Sequence, residues 1–154
     1  MKIARTSVHD QAFQNLVARL SRFLAELNGE EANAFYAPLN QTNDQTRTVV
    51  AYDGDLAVGC GAFRPHADGV VEIKRMFVDP AVRGKGVGRA ILVELERWAL
   101  ELGSTRAILE TSKRLRTANQ LYSRSGYRII PNYGPYVDAK DSVCMERILS
   151  PSRD

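Results

Sequence analysis

No run of this 154-residue sequence approaches the roughly 20 consecutive apolar residues that a membrane span requires. The opening Met1-Lys2-Ile3-Ala4-Arg5 has no apolar core of the kind that secretory signals carry. A soluble, cytoplasmic protein without membrane partners is therefore expected. Cysteine is scarce: Cys60 and Cys144 stand far apart, without the spacing of a disulfide framework or a zinc site, and read as core thiols. Histidine is equally scarce, since His9 and His66 have no second ligand at metal spacing, and no metal is expected. Block charge is absent as well. The 21 basic and 18 acidic residues are interspersed, for a formal charge of +3, so no basic arm points to nucleic acid.

What is present is an ordinary globular balance, with 44% hydrophobic residues in a chain near the modal domain size. It predicts one domain over residues 1–150 and a polar tail over 151–154, with no internal repeat and no linker. Residues 2–5 read as a short strand. Phe13, Leu16, Val17, Leu20, Phe23, Leu24 and Leu27 then recur at helical spacing up to a stop at Asn28-Gly29. Residues 30–45 read as an irregular excursion after a short helical turn. Thr46 to Tyr52 and Leu56 to Phe63 flank Asp53-Gly54 as a hairpin, and Val70 to Val78 forms a strand that ends at Asp79-Pro80.

The period then changes. Val87, Ile91, Leu95, Trp98 and Leu102 lie on one helical stripe opposite Arg89, Glu96 and Arg97, with Gly103 as the stop. Ala107 to Thr111 is a strand, so residues 70–111 predict a β-loop-α-β unit with parallel strands. A shorter helix carries Leu115, Ala118, Leu121 and Tyr122 up to Gly126. Strands follow at Tyr127 to Ile130 and Ser142 to Ile148, separated by a turn over Pro131 to Pro135.

The segment with chemical content is Val78-Asp79-Pro80-Ala81-Val82-Arg83-Gly84-Lys85-Gly86-Val87-Gly88-Arg89. A strand end runs through three alternate glycines straight into a helix. The first turn of a helix exposes N–H groups with no intrahelical partner, and the helix dipole adds positive character there. Glycines allow close approach, while Lys85 and Arg89 add cationic charge. The plain alternative is a tight turn that serves only packing. A Walker loop is excluded, because Arg89-Ala90 replaces its Lys-Ser or Lys-Thr pair. The dinucleotide fingerprint fails because one residue, Val87, separates the last two glycines.

Arg83-Gly84-Lys85-Gly86-Val87-Gly88 resembles the Arg/Gln-x-x-Gly-x-Gly/Ala loop of the GNAT N-acetyltransferase superfamily, which cradles the coenzyme A pyrophosphate on main-chain amides. Glu72 to Val78 looks like that family's preceding strand. Ala118 to Tyr127 looks like its Ala-x-x-Leu-Tyr-x-x-x-Gly-Phe/Tyr helix and strand. The resemblance implies a mixed α/β GNAT fold, with a single sheet of six or seven strands and about four helices. Its fourth and fifth strands would splay to admit the pantetheine arm onto main-chain groups of Met76, Phe77 and Val78. It further implies acetyl-CoA as cosubstrate, bound by residues 83–89, and direct attack of a primary amine of a small molecule or peptide on the thioester. A homodimer is compatible with this reading.

The same resemblance assigns Tyr122 as the general acid facing the coenzyme sulfur, against a packing role on the sheet. The main-chain N–H of Met76 would be the oxyanion donor. Glu72, 11 residues before Arg83, is the candidate general base, against a solvent-facing strand residue paired with Lys74. Many members bond the coenzyme through an Asn where this chain has Leu115; Asn119 is the nearest substitute. Parts of Tyr36 to Gln41 and of Tyr133 to Asp138 would wall the acceptor pocket, with Tyr133, Tyr136 and Asp138 as contacts for a cationic amine, against a plain role as turn residues. Two rival readings are a noncatalytic CoA-binding regulatory module, and a nucleic-acid-binding patch formed by Lys74, Arg75, Arg83, Lys85 and Arg89.

Overall fold

The computed structural model describes residues 1–151; the polar tail expected at 151–154 lies, from 152 on, outside the described residues. Seven strands form one mixed sheet: β1 Lys2–Thr6, β2 Arg47–Asp53, β3 Leu56–Ala67, β4 Val70–Val78, β5 Arg106–Ser112, β6 Arg128–Ile130 and β7 Ser142–Ile148. Their spatial order is β1-β2-β3-β4-β5-β7-β6. Among the described residues three α-helices accompany them, where about four were expected: α1 Gln11–Tyr36, α2 Val87–Glu101 and α3 Arg116–Arg124. The chain gathers into two compact units, the first made of Met1–Arg64 and Lys74–Leu95, the second of Pro65–Ile73 and the chain from Glu96 on.

In the first unit α1 starts at Asp10, whose side chain accepts the Phe13 N–H at 3.0 Å and so caps the first turn. Its apolar stripe places Phe13, Leu16 and Leu20 in a core with Val50, Cys60, Ala62 and Phe77. The expected stop at Gly29 is a break inside the helix. Gly29 takes φ 79° and ψ 171°, and the chain re-enters helix through Tyr36, followed by a 3₁₀ turn at Ala37–Asn40. Glycine permits the left-handed step, and the Glu-Glu-Ala stretch beyond it favours helix, so the irregular excursion shrinks to a few residues. Strands β1, β2 and β3 pair antiparallel, with a bulge at Ala51/Tyr52. On β3, Gly59 and Gly61 allow α2 to approach closely. A Cβ on Gly59 would lie 2.9 Å from Ile91 Cδ1, and one on Gly61 2.5 Å from Met76 Sδ and 2.8 Å from Ile91 Cγ2.

In the second unit the start of β4 pairs parallel with β5 at Val70↔Arg106, Val71↔Ala107 and Glu72↔Ile108, as the β-loop-α-β pattern predicts. Strand β7 pairs antiparallel with β5 on one side and with β6 on the other. The stripe expected on α2 holds for Val87, Ile91 and Leu95 and then fails: Trp98 is half-buried and Leu102 exposed, while Leu92, Glu96 and Ala99 are buried. Glu96, expected on the polar face, is 2% exposed and accepts the Tyr127 O–H at 2.8 Å. A buried carboxylate is tolerated once hydrogen-bonded, and no hydrophobic pattern can anticipate that.

Candidate active site

Asp79 ends β4 by accepting the Ala81 N–H at 2.8 Å, which opens a 3₁₀ turn at Pro80–Val82. That backbone bond, with the Arg19 guanidinium at 3.2 Å, holds the Asp79 carboxyl below the usual carboxylate range. The next residues enter the glycine loop, where Gly84 and Gly86 adopt φ 83° and 78°. Side chains rarely tolerate that region, so both glycines are required by the backbone. A Cβ at either position would meet nothing within 4 Å, so the space before the loop is open.

Among the described residues, the N–H groups of Gly84, Lys85, Gly86, Val87 and Gly88 have no acceptor within the chain; the first closing bond there is Ala90 N–H to Gly86 C=O at 3.0 Å. Arg83, Lys85 and Arg89 are exposed, whereas the Val87 side chain is buried, so Val87 offers only its N–H. A row of unpaired amides at a helix N-terminus, edged by three cations, fits a diphosphate. On β4 before the loop, Phe77 is a core residue with the Arg19 guanidinium 5.1 Å from its ring centroid, and Met76 and Val78 are half-buried. Because its ring is buried, Phe77 can offer a ligand only its main chain.

The second unit holds the candidate proton-handling groups. Tyr122, on the sheet-facing side of α3, is 6% exposed and stacks edgewise on Tyr127 at 6.0 Å. Burial, reinforced by the nearby negative charge of Glu110, pushes its hydroxyl above the ordinary tyrosine value, so it remains a proton donor across the physiological range. Glu72 is 2% exposed, which overturns the solvent-facing reading. Its carboxylate accepts the Tyr133 O–H at 2.6 Å. Burial and the Glu72 charge push the Tyr133 hydroxyl upward, which keeps it a neutral donor to that carboxylate.

Asn119 points its amide at β5, with Nδ2 donating to the Ser112 carbonyl at 3.1 Å and a buried Oδ1 that has no partner. Tyr136 is 1% exposed and packs edgewise on Tyr133 at 5.7 Å, so it is a core ring and does not face an amine; Asp138 is exposed. Glu110 escaped the sequence reading. It lies on β5 two residues beyond the partner of Glu72, accepts the Ser142 O–H at 2.7 Å and acts electrostatically on Tyr122. A glutamate inside an apolar strand, Ala107-Ile108-Leu109-Glu110, was the available signal.

Lys74 and Arg75 are 8% and 7% exposed, so the proposed nucleic-acid patch loses two of its five members to burial. Both cysteines are buried and free, as core thiols should be. Among the described residues, no group of three or more potential metal ligands comes together, and no helix is long and apolar enough to cross a membrane.

The glycine loop entering α2 on a mixed seven-stranded sheet defines an acyl-CoA-binding class of fold. Residues 12–127 match the family model for the Acetyltransferase (GNAT) family. An Azospirillum brasilense protein named IAA acetyltransferase is 34% identical over 148 residues, covering 96% of this chain and 97% of that protein. A Klebsiella pneumoniae structure described as an acyl-CoA N-acyltransferase superposes with TM-score 0.81 at 28% identity over 97% of both chains. The PaiA N-acetyltransferase of Thermoplasma acidophilum, solved with coenzyme A, shares the fold with TM-score 0.72 at 17% identity over 96% of this chain and 99% of that one. The chain belongs to the GNAT acetyltransferase family, as the loop and tyrosine-helix motifs implied. It is an N-acetyltransferase by class, with an acceptor that the family does not specify.

Proposed function

We propose that this protein transfers the acetyl group of acetyl-CoA to a primary amine by direct attack, with residues 1–150 acting as one catalytic domain. The observation that carries the cofactor assignment is the row of unpaired amides from Gly84 to Gly88 beside exposed Arg83, Lys85 and Arg89. When bound, acetyl-CoA supplies an activated thioester. The loop amides and cations would hold its diphosphate, and the main chain of Met76, Phe77 and Val78 would line its arm. The Met76 N–H would donate to the carbonyl oxygen as negative charge develops there. Glu72 would receive the amine proton, oriented by Tyr133, and Tyr122 would return a proton to the leaving sulfur. No covalent enzyme intermediate is required, so the buried cysteines have no chemical role.

Acetyl-CoA at millimolar concentration should raise Tm, because a ligand that binds only the folded state stabilises it by mass action. Gly86→Glu should abolish the shift by placing a carboxylate where the diphosphate sits. Gly86→Ala carries the same backbone strain at φ 78° without the charge and should retain more of it. An unshifted wild type would overturn the cofactor assignment.

A further inference from the structure

Arg75 plays no part in the chemistry above, yet its setting is unusual. It is the one described residue other than glycine with a positive φ, 58°, and it is 7% exposed. Such a backbone is sparsely populated for a long side chain and persists only where the surroundings enforce it. The guanidinium turns toward α1, where Nη2 donates to the Val17 carbonyl at 3.2 Å and to Ser21 Oγ. Nε is fully buried and has no acceptor, and among the described residues no carboxylate pairs with this side chain. Cys60 donates its S–H to the Arg75 carbonyl at 3.4 Å, but burial pushes that thiol up to about 12, so it stays neutral and supplies no counter-charge.

A buried guanidinium with neutral partners and unused donors is costly unless an anion arrives from outside the chain. The space for one exists. Arg75 lines a cavity of about 410 Å³ together with Ser21, Asn33, Asn40, Gln41 and Thr42, and it is the sole charged side chain in that lining. The volume suits a small metabolite. The amides and hydroxyls add neutral hydrogen-bonding groups without adding charge. One buried positive charge matches a monoanion such as a carboxylate better than a phosphate dianion, and the planar fork can pair with a carboxylate through two parallel bonds.

We propose that this cavity receives the acid end of the acceptor, so that the substrate is an amine that also carries a carboxylate, paired with Arg75. The inference rests on the acetyl-transfer reading above and narrows its acceptor class. Transfer itself is unchanged: an N–C bond forms as the C–S bond breaks, the amine gives up one proton, and the leaving sulfur gains one.

The experiment has two stages, which separate failure of this inference from failure of the reading beneath it. The acetyl-CoA shift in Tm is measured first, and its absence would remove both. Acetyl-CoA-dependent thiol release is then followed with α-amino acids, β-alanine and 4-aminobutyrate, each beside its carboxamide. Wild type should favour the acids by at least about tenfold in kcat/KM, mainly through KM, as expected for a charge-assisted hydrogen bond. Arg75→Met should erase that preference while Tm holds or rises, because a buried unpaired charge has been removed. Arg75→Lys keeps the charge without the fork and should retain an intermediate preference. The proposal is overturned if amides and acids react equally, if Arg75→Met still prefers acids, or if the acetyl-CoA-loaded protein neither acetylates nor is stabilised by any acid in the panel.

Discussion

Arg75 in the first unit and Glu146 in the second are both ionised, both more than nine-tenths buried and both on strands, but their surroundings differ. Glu146 is bracketed by its own counter-ions: Arg106 Nε lies 2.7 Å from one carboxylate oxygen, and Arg128 donates to the other. Those contacts, Arg106 first, hold the Glu146 carboxyl below its ordinary value. Arg75 has only a carbonyl, a hydroxyl and an unmatched N–H. A buried charge neutralised within the chain is part of the architecture, whereas one left without a partner is available to a ligand. The same contrast separates the glycine loop, with its row of unpaired amides, from the Glu72–Tyr133 and Glu96–Tyr127 pairs of the second unit, which are closed internally. The first unit presents unmet binding groups at the loop and at Arg75, and the second holds tyrosines and carboxylates positioned against each other, with the buried Asn119 Oδ1 as an exception.

If that contrast is functional, substitutions in the second unit should alter turnover or stability and leave cofactor affinity nearly untouched. The largest effect is expected for Tyr122→Phe, which should lower kcat by on the order of 10²-fold while acetyl-CoA affinity stays within a few-fold. Unchanged turnover would return Tyr122 to packing. Glu72→Gln should lower kcat/KM by about tenfold or more at neutral pH, and progressively less as rising pH supplies free amine from solution. Parallel pH profiles for the two forms would mean that Glu72 is not the base.

Smaller still is the expected effect of Glu146→Gln on stability. Arg106 and Arg128 are partly exposed and can turn to water, so the loss should be on the order of 1–2 kcal/mol, a few degrees in Tm. Its pH dependence supplies the finest test. A depressed carboxylate contributes stability above its unfolded pKa, ordinarily 4.5, and loses it as pH falls through the folded value. The gap in Tm between wild type and Glu146→Gln should therefore be full at pH 7 and close on acidification below about pH 4. A gap that is constant with pH would show that the carboxylate acts through shape and not charge.

Much of this was legible in residue order, and the misses have definite causes. The glycine loop could be read because a strand end, three alternate glycines and a helix start are contiguous, so chain connectivity alone places them. The helix that carries Tyr122 was legible through the spacing of Ala118, Tyr122 and Gly126, while the role proposed for Tyr122 came from the family resemblance alone. Glu72 could be proposed, but not its burial or its bond to Tyr133, 61 residues away. Glu96 was assigned to the wrong face because a carboxylate counts as polar until its partner is known, and Tyr127 lies 31 residues on. Arg75 was grouped with surface cations for the same reason.

Local order by itself determined most of the elements, the parallel crossover from β4 to β5 and the run of unpaired amides over residues 84–88, because hydrogen-bonding capacity along a continuous backbone is a local property. Tertiary structure alone decided that β7 inserts between β5 and β6, that Gly59 and Gly61 exist to admit α2, and which buried charges are answered within the chain. Those outcomes depend on the distance between residues remote in sequence, and both the penalty and the use of a buried charge are set by that distance.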